Sequence, residues 1–381
     1  MSKIIIYFIL FINSYAISYI NISKLDTQTK NNTIFMSLDS FHKVGVDLTK
    51  SKNTFILNTD IGKYYLKDNK IITLYKEYTY LSKPFISKGK DYLPLELILE
   101  LNGAHLEDQT ITRSIEPKKT NSFPKRIISL SPGITEKIFA LGGEDKLIGR
   151  TSFAVYPKEV ENIDIVGTMF EPNLEVILDK NPDMVIAETH FRKKLMVTLN
   201  NLEITVTQYQ TPINIVEIYR SILDLGYLLD RSLEARGLNA SLKDKINYTR
   251  FILKDQIVPN VYYVLGSGKT DITPGGDTFI NSLIEISGGK NIAKEKKGWR
   301  YSLEELILNN PNIIFGNKRS INNMLREENY SFLAAIKNKN YYIIKDDSIF
   351  NLPGPRALTE GVYEMIKVFH PISAKKLENI Y

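Results

Sequence analysis

The 381-residue sequence predicts an α/β protein of two similar lobes joined by one long helix, with a small α+β module in front of them. Three observations carry that prediction. From Arg126 onward short aliphatic runs alternate with helical stretches, the pattern of parallel strands covered by helices. A fifteen-residue sentence occurs twice, as NLEVILDKNPDMVIA at 173–187 and SLEELILNNPNIIFG at 302–316. Between the copies lies a long helical run, 212–257, with apolar residues at Ile215, Ile218, Ile222, Leu225 and Leu229.

At the start, Lys3 precedes an apolar run from Ile4 to Ile12, and Ser14-Tyr15-Ala16 supplies small residues for cleavage after Ala16. Residues 1–16 therefore read as an export signal, too short to span a bilayer comfortably; an uncleaved anchor is the competing reading. With no cysteine there is no lipid-bearing residue, disulfide or thiolate metal site, and the periplasm is the expected location.

Residues 21–115 read as the small module. Thr54–Leu57 and Ile71–Tyr75 are strand-like, with turns at Lys67-Asp68-Asn69 and Ser87–Lys90. Leu95, Ile98 and Leu99 signal a helix stopped at Asn102-Gly103, and Met36–Leu48 is a weaker version of the same idea. A polar, proline-flanked linker covers 116–124. Lobe one, 125–211, has strands at Arg126–Leu130, Val185–Ala187 and Ile204–Val206, and a helix after Ser131-Pro132-Gly133 ended by Gly142-Gly143. The bridge, 212–257, is weakened by Gly226 and Gly237. Lobe two, 258–381, has strands at Val261–Leu265, Ile313–Phe315 and Tyr341–Ile344.

The repeated sentence puts Glu175 and Glu304 at equivalent points, one residue into each helix after the capping Asn173 or Ser302. A first-turn carboxylate favours the positive helix end by about 0.3–1 kcal/mol, and Glu305 completes a capping box with Ser302. Helix chemistry alone thus accounts for one role of these acids.

Several functions are excluded. Net charge is +6 but spread out, so no nucleic-acid groove is expected. GSGKT at 266–270 lacks the spacing of a phosphate loop, and no serine–histidine or cysteine–histidine pairing is visible, so no enzyme is expected. A bare metal site needs three or four converging ligands; His42, His105 and His370 read as structural, leaving only His190 near a cleft.

Four stretches, RIISLSPGITEKIFALGGEDKLIGRTSFAVYP (126–157), VGTMFEPNLEVILDKNPDMVIA (166–187), DTFINSLIEISGGKNIA (277–293) and LPGPRALTEGVYEMIKVFHP (352–371), together resemble the periplasmic binding proteins of iron-chelate, haem and vitamin B12 importers of the ABC class. That resemblance implies the class III fold, two Rossmann-like lobes on one bridging helix with small lobe motion, acting as a monomer without a resident cofactor. It implies that Glu175 and Glu304 dock on arginines of an ABC permease in the inner membrane. It also implies a cleft for a metal-chelate ligand lined by Phe153, Tyr156, Met169, Phe170, His190, Arg192, Trp299 and Arg300. Arg150 and Arg356 are further arginine candidates, Arg356 equally a structural part of its PGPR turn. Trp299 points to a corrinoid, His190 and Met169 (with Tyr156 as a rival) to haem, and the arginines to an anionic siderophore. An exported structural or surface-attachment protein with a non-functional cleft is the competing class. DYLPLELILELNGAHL (91–106) is similar to the repeated unit of the copper amine oxidase N-terminal module, without a copper site, which implies a structural role.

Overall fold

In the computed structural model, described for residues 20–107, 110–113, 123–189, 193–268 and 270–381, two parallel sheets share one strand order. In lobe one the central strand Ile127–Ser129 lies between Leu147–Arg150 and Met184–Glu188, with Thr205–Tyr209 outermost. In lobe two Asn260–Val264 lies between Lys290–Asn291 and Ile313–Gly316, with Tyr341–Ile343 outermost. Both lobes thus run second–first–third–fourth, an order that needs helical crossovers and buries both sheet faces. The repeat lies at the same place in each: helices Leu174–Asp179 and Leu303–Asn309 lead into the third strands.

The repeat's polar letters have defined structural work. Asn173 accepts from Val176 N and Ser302 from Glu305 N, each starting its helix. Asn181 and Asn310 both adopt left-handed backbone, with φ of 46° and 33°, and stop the helix before proline. Asp183 then accepts from the N–H groups of Lys125 and Arg126, while Asn312 accepts from that of Asn260. Each copy therefore caps a helix, ends it, and clips the neighbouring central strand.

The helical run 212–257 is two helices, not one. Ile215–Leu228 and Ser232–Leu253 are separated at Leu229–Arg231, where Asp230 has φ 57°. Arg231 holds the break: its guanidinium donates to Gly142 O and Asp145 and stacks 3.6 Å over Tyr75. Gly226, expected to weaken the run, is where the two helices touch; an added Cβ would lie 2.4 Å from Ala235 Cβ. Ser232–Leu253 alone is the bridge between lobes.

The first module consists of antiparallel strands and two short helices, Leu38–Lys43 and Leu95–Leu101. Its expected turns are present, with left-handed Asp68-Asn69 between strands Gly62–Lys67 and Lys70–Ile72. Leu95–Leu101 packs on the bridge, and one apolar cluster runs from Leu48, Leu57 and Leu101 through Ala235, Leu238 and Leu242 into both lobes. Polar contacts seal this junction: Tyr64 OH donates to Leu233 O, Tyr78 OH to Ala140 O, and Asp244 accepts from Leu81 N, Ser82 N and Ser82 Oγ. The export signal, and the linker between Glu116 and Ser122, lie outside the described residues. Among the described residues no helix is long and apolar enough to cross a membrane.

Candidate ligand and docking sites

Open parallel sheets present ligands beyond the carboxyl ends of their strands. In lobe one two displayed loops carry the predicted aromatics. Thr168 Oγ1 accepts from Phe170 N and Glu171 N, a tight turn that lifts Met169-Phe170 outward, and Gly167 (φ 112°) has no room for a Cβ beneath it. The other loop carries Phe153 and Tyr156. Phe153 meets Phe170 edge to face with ring centroids 6.1 Å apart, and the two rings stay 49% and 53% exposed. Arg150, expected as a ligand contact, is instead consumed as a brace: Nε donates to Val160 O and Ile163 O, and Nη1 to Thr151 O and Ala154 O. A guanidinium with buried carbonyl partners is not offered to a ligand.

In lobe two Trp299 is 44% exposed, and its carbonyl accepts from Thr273 N while Asp277 accepts from Gly298 N. Arg300 is exposed on the two-residue strand Arg300–Tyr301, paired with Asp271–Ile272. It borders a hollow of about 360 Å³ shared with Ser302, Glu304 and Asn329. Glu175 and Glu304 are both exposed and have no hydrogen bond or ion pair among the described residues. His190 and Arg192 lie outside the described residues.

Tyr156 is the predicted residue that reaches the other lobe. Its hydroxyl lies 3.4 Å from Glu360 Oε1, and Arg356 stacks 4.2 Å over its ring. Arg356 also donates to Asp346, Ser348 and Glu360. Its backbone N–H donates to Glu136 Oε1, and burial pushes the Glu136 carboxyl up to about 7. Beside it Lys137 is buried and held below the usual lysine value by desolvation, opposed by Glu188 and Glu136. Glu188 ends its strand by accepting from Ser131 Oγ. This Glu136–Lys137–Arg356–Glu360 cluster was not predicted from sequence, apart from Arg356 itself. Its two halves lie far apart in the chain, Glu136 and Arg356 being 220 positions from each other.

A cavity of about 630 Å³ opens at this junction, with walls from lobe one, the bridge, lobe two and the first module. Of the six predicted ligand residues that are described, only Tyr156 lines it. Among the described residues no three histidine, aspartate or glutamate side chains converge as a metal site.

Two equal α/β lobes on one bridging helix, each ending in an exposed first-turn glutamate, define a substrate-binding protein of the two-lobe, single-bridge class. The chain belongs to the periplasmic binding protein family, whose model matches residues 127–348. It is similar to the ABC transporter substrate-binding lipoprotein YvrC of Bacillus subtilis, at 29% identity over 66% of this chain and 82% of that protein. A vitamin B12-binding protein of Vibrio parahaemolyticus is 26% identical over 66% of this chain and 92% of its own length. Among solved structures, a possible iron-binding periplasmic solute-binding protein of Staphylococcus epidermidis aligns with TM-score 0.60 and 25% identity, covering 65% of this chain and all of that one.

Proposed function

We propose that this protein captures a corrinoid of the cobalamin class outside the cytoplasm and delivers it to an ABC permease. The observation that carries the reading is the exposed aromatic surface divided between the lobes, Phe153 and Phe170 on one and Trp299 on the other. A large macrocycle gains about 25 cal/mol per Å² of apolar area covered, and ring faces are the side chains that cover most. Likeness to the Vibrio vitamin B12-binding protein supports a corrinoid over other chelates. Met169, Tyr156 and Arg300 are the contacts expected around that surface, with His190 and Arg192 at its margin.

Delivery is assigned to Glu175 and Glu304. Both carboxylates are exposed and free of ion pairs among the described residues, and each sits in the same turn of an equivalent helix. Two such carboxylates suit forked pairing with arginines on two equivalent permease halves.

The single tryptophan supplies the test. Titration with cyanocobalamin, haemin and a ferric siderophore is expected to give saturable quenching at one equivalent with cyanocobalamin. Saturation by haemin alone would move the ligand to haem, and no response to any of the three would overturn ligand capture at Trp299. Phe170→Ala, followed by gel filtration read at the corrin absorbance, is expected to weaken binding about tenfold, the worth of one lost ring contact.

A further inference from the structure

Among the described residues the cavity beside the bridge shares Tyr156 with the proposed ligand surface and holds neither of the twin glutamates. Phe153, Met169, Phe170, Trp299 and Arg300 take no part in its walls, and the module's Lys76–Thr79 segment forms one side of it. Relatives that align over nearly their whole length do so with two-thirds of this chain.

Most of the charged groups in the walls already have partners. Lys76 pairs with Glu144 at 3.2 Å, Glu77 with Lys70 at 2.6 Å, and Arg356 with Glu360 and Asp346. Two groups of opposite sign stand out. Lys245, half-buried on the bridge, has no hydrogen bond or ion pair among the described residues. Its neighbour Asp244 is turned to Leu81 and Ser82, and burial lowers the Lys245 ammonium below the usual lysine value. On the lobe-one side Glu144 spends Oε1 on Lys76, while its Oε2 is buried and accepts no hydrogen bond among the described residues. The same walls carry the apolar surfaces of Tyr78, Phe139 and Leu242.

Buried polar groups without partners are costly, so a ligand that supplies both partners is favoured over one that supplies either alone. The complement of an ammonium and a carboxylate oxygen in a cavity that also has apolar walls is a zwitterion with an apolar body. At about 630 Å³ the space exceeds a single amino acid and suits a dipeptide. We propose that this cavity is a second ligand site, completed by the N-terminal module, for a short zwitterionic apolar peptide whose ammonium meets Glu144 and whose carboxylate meets Lys245.

The test is calorimetric titration of the full chain with the dipeptide Phe-Leu, its N-acetyl form and its C-terminal amide, with and without saturating cyanocobalamin. Phe-Leu is expected to bind at one equivalent in both conditions, and each capped form at least tenfold more weakly. Glu144→Gln should abolish the penalty of N-acetylation, and Lys245→Met, which keeps the apolar stem, the penalty of amidation. Absence of Phe-Leu binding, equal binding of the capped forms, or unchanged preferences in both variants would overturn the assignment. Displacement by cyanocobalamin would overturn the separateness of the site. Cooperative thermal melts of both variants report their folding, so that this outcome stands apart from the corrinoid reading.

Discussion

Glu136 is 4% exposed and faces Arg356 and Glu360 across the lobes, Lys137 on its own helix and the Tyr156 ring from the neighbouring loop. Its carboxyl, raised from 4.5 to about 7 by burial, holds more protons in the native protein than in the unfolded chain within that interval. Stability from this group is therefore present below its unfolded value and lost as pH rises through about 7. Asp224 and Asp244 are also raised by burial, so the slope belongs to several groups, and Glu136→Gln isolates one. Thermal melts of that variant between pH 5 and 7.5 should show a smaller fall in Tm than the parent; an identical fall would refute the assignment. At this scale the sequence was partly legible. The loop aromatics were singled out through the family resemblance, and the structure adds that Phe153, Phe170 and Trp299 are exposed. Arg150 could not be read correctly, because only the folded loop reveals the four carbonyls that occupy it.

The bridge is the element on which everything else hangs, and two contacts define its constraints. Asp244 gathers three hydrogen bonds from the module's Leu81 and Ser82. Replacing it with alanine strands those donors and is expected to cost about 2–4 kcal/mol, read as a lower urea midpoint. A midpoint unchanged within error would show that the junction is not coupled to folding. Gly226 permits Ile215–Leu228 to lie against the bridge, and Gly226→Val is expected to cost about 1–3 kcal/mol or more by overpacking, measured in the same denaturation series. The helical spacing was visible in the sequence from Ile215 onward, but the break was not. Leu229 continues the apolar period, and the residue that turns the chain, Asp230, carries no glycine or proline signal. The packing of the first module on the bridge was equally hidden. Its own helix Leu95–Leu101 is apolar on most faces, which says that it is covered without saying by what.

For the molecule as a whole, the shared strand order and the repeated helix make the lobes equivalent, and that equivalence was written openly in the repeated sentence. Docking should then require both ends. With radiolabelled cobalamin and cells carrying the cognate permease, Glu175→Ala combined with Glu304→Ala is expected to reduce uptake to background while leaving the fluorescence titration unchanged. Unimpaired uptake by the double variant would sink the docking role.

The first module breaks the likeness of the two ends. It is fastened to the bridge and to Ala140 and Glu144 of lobe one, while the cavity lies between it and the Pro355–Glu360 turn of lobe two. Two matched lobes alone would make a plug that seats equally well after a half turn. The module would act as a key on one side of that plug. Should it meet a fixed neighbour at the cell envelope, each lobe would always face the same half of the permease, and a reversible connector would become a polarised one.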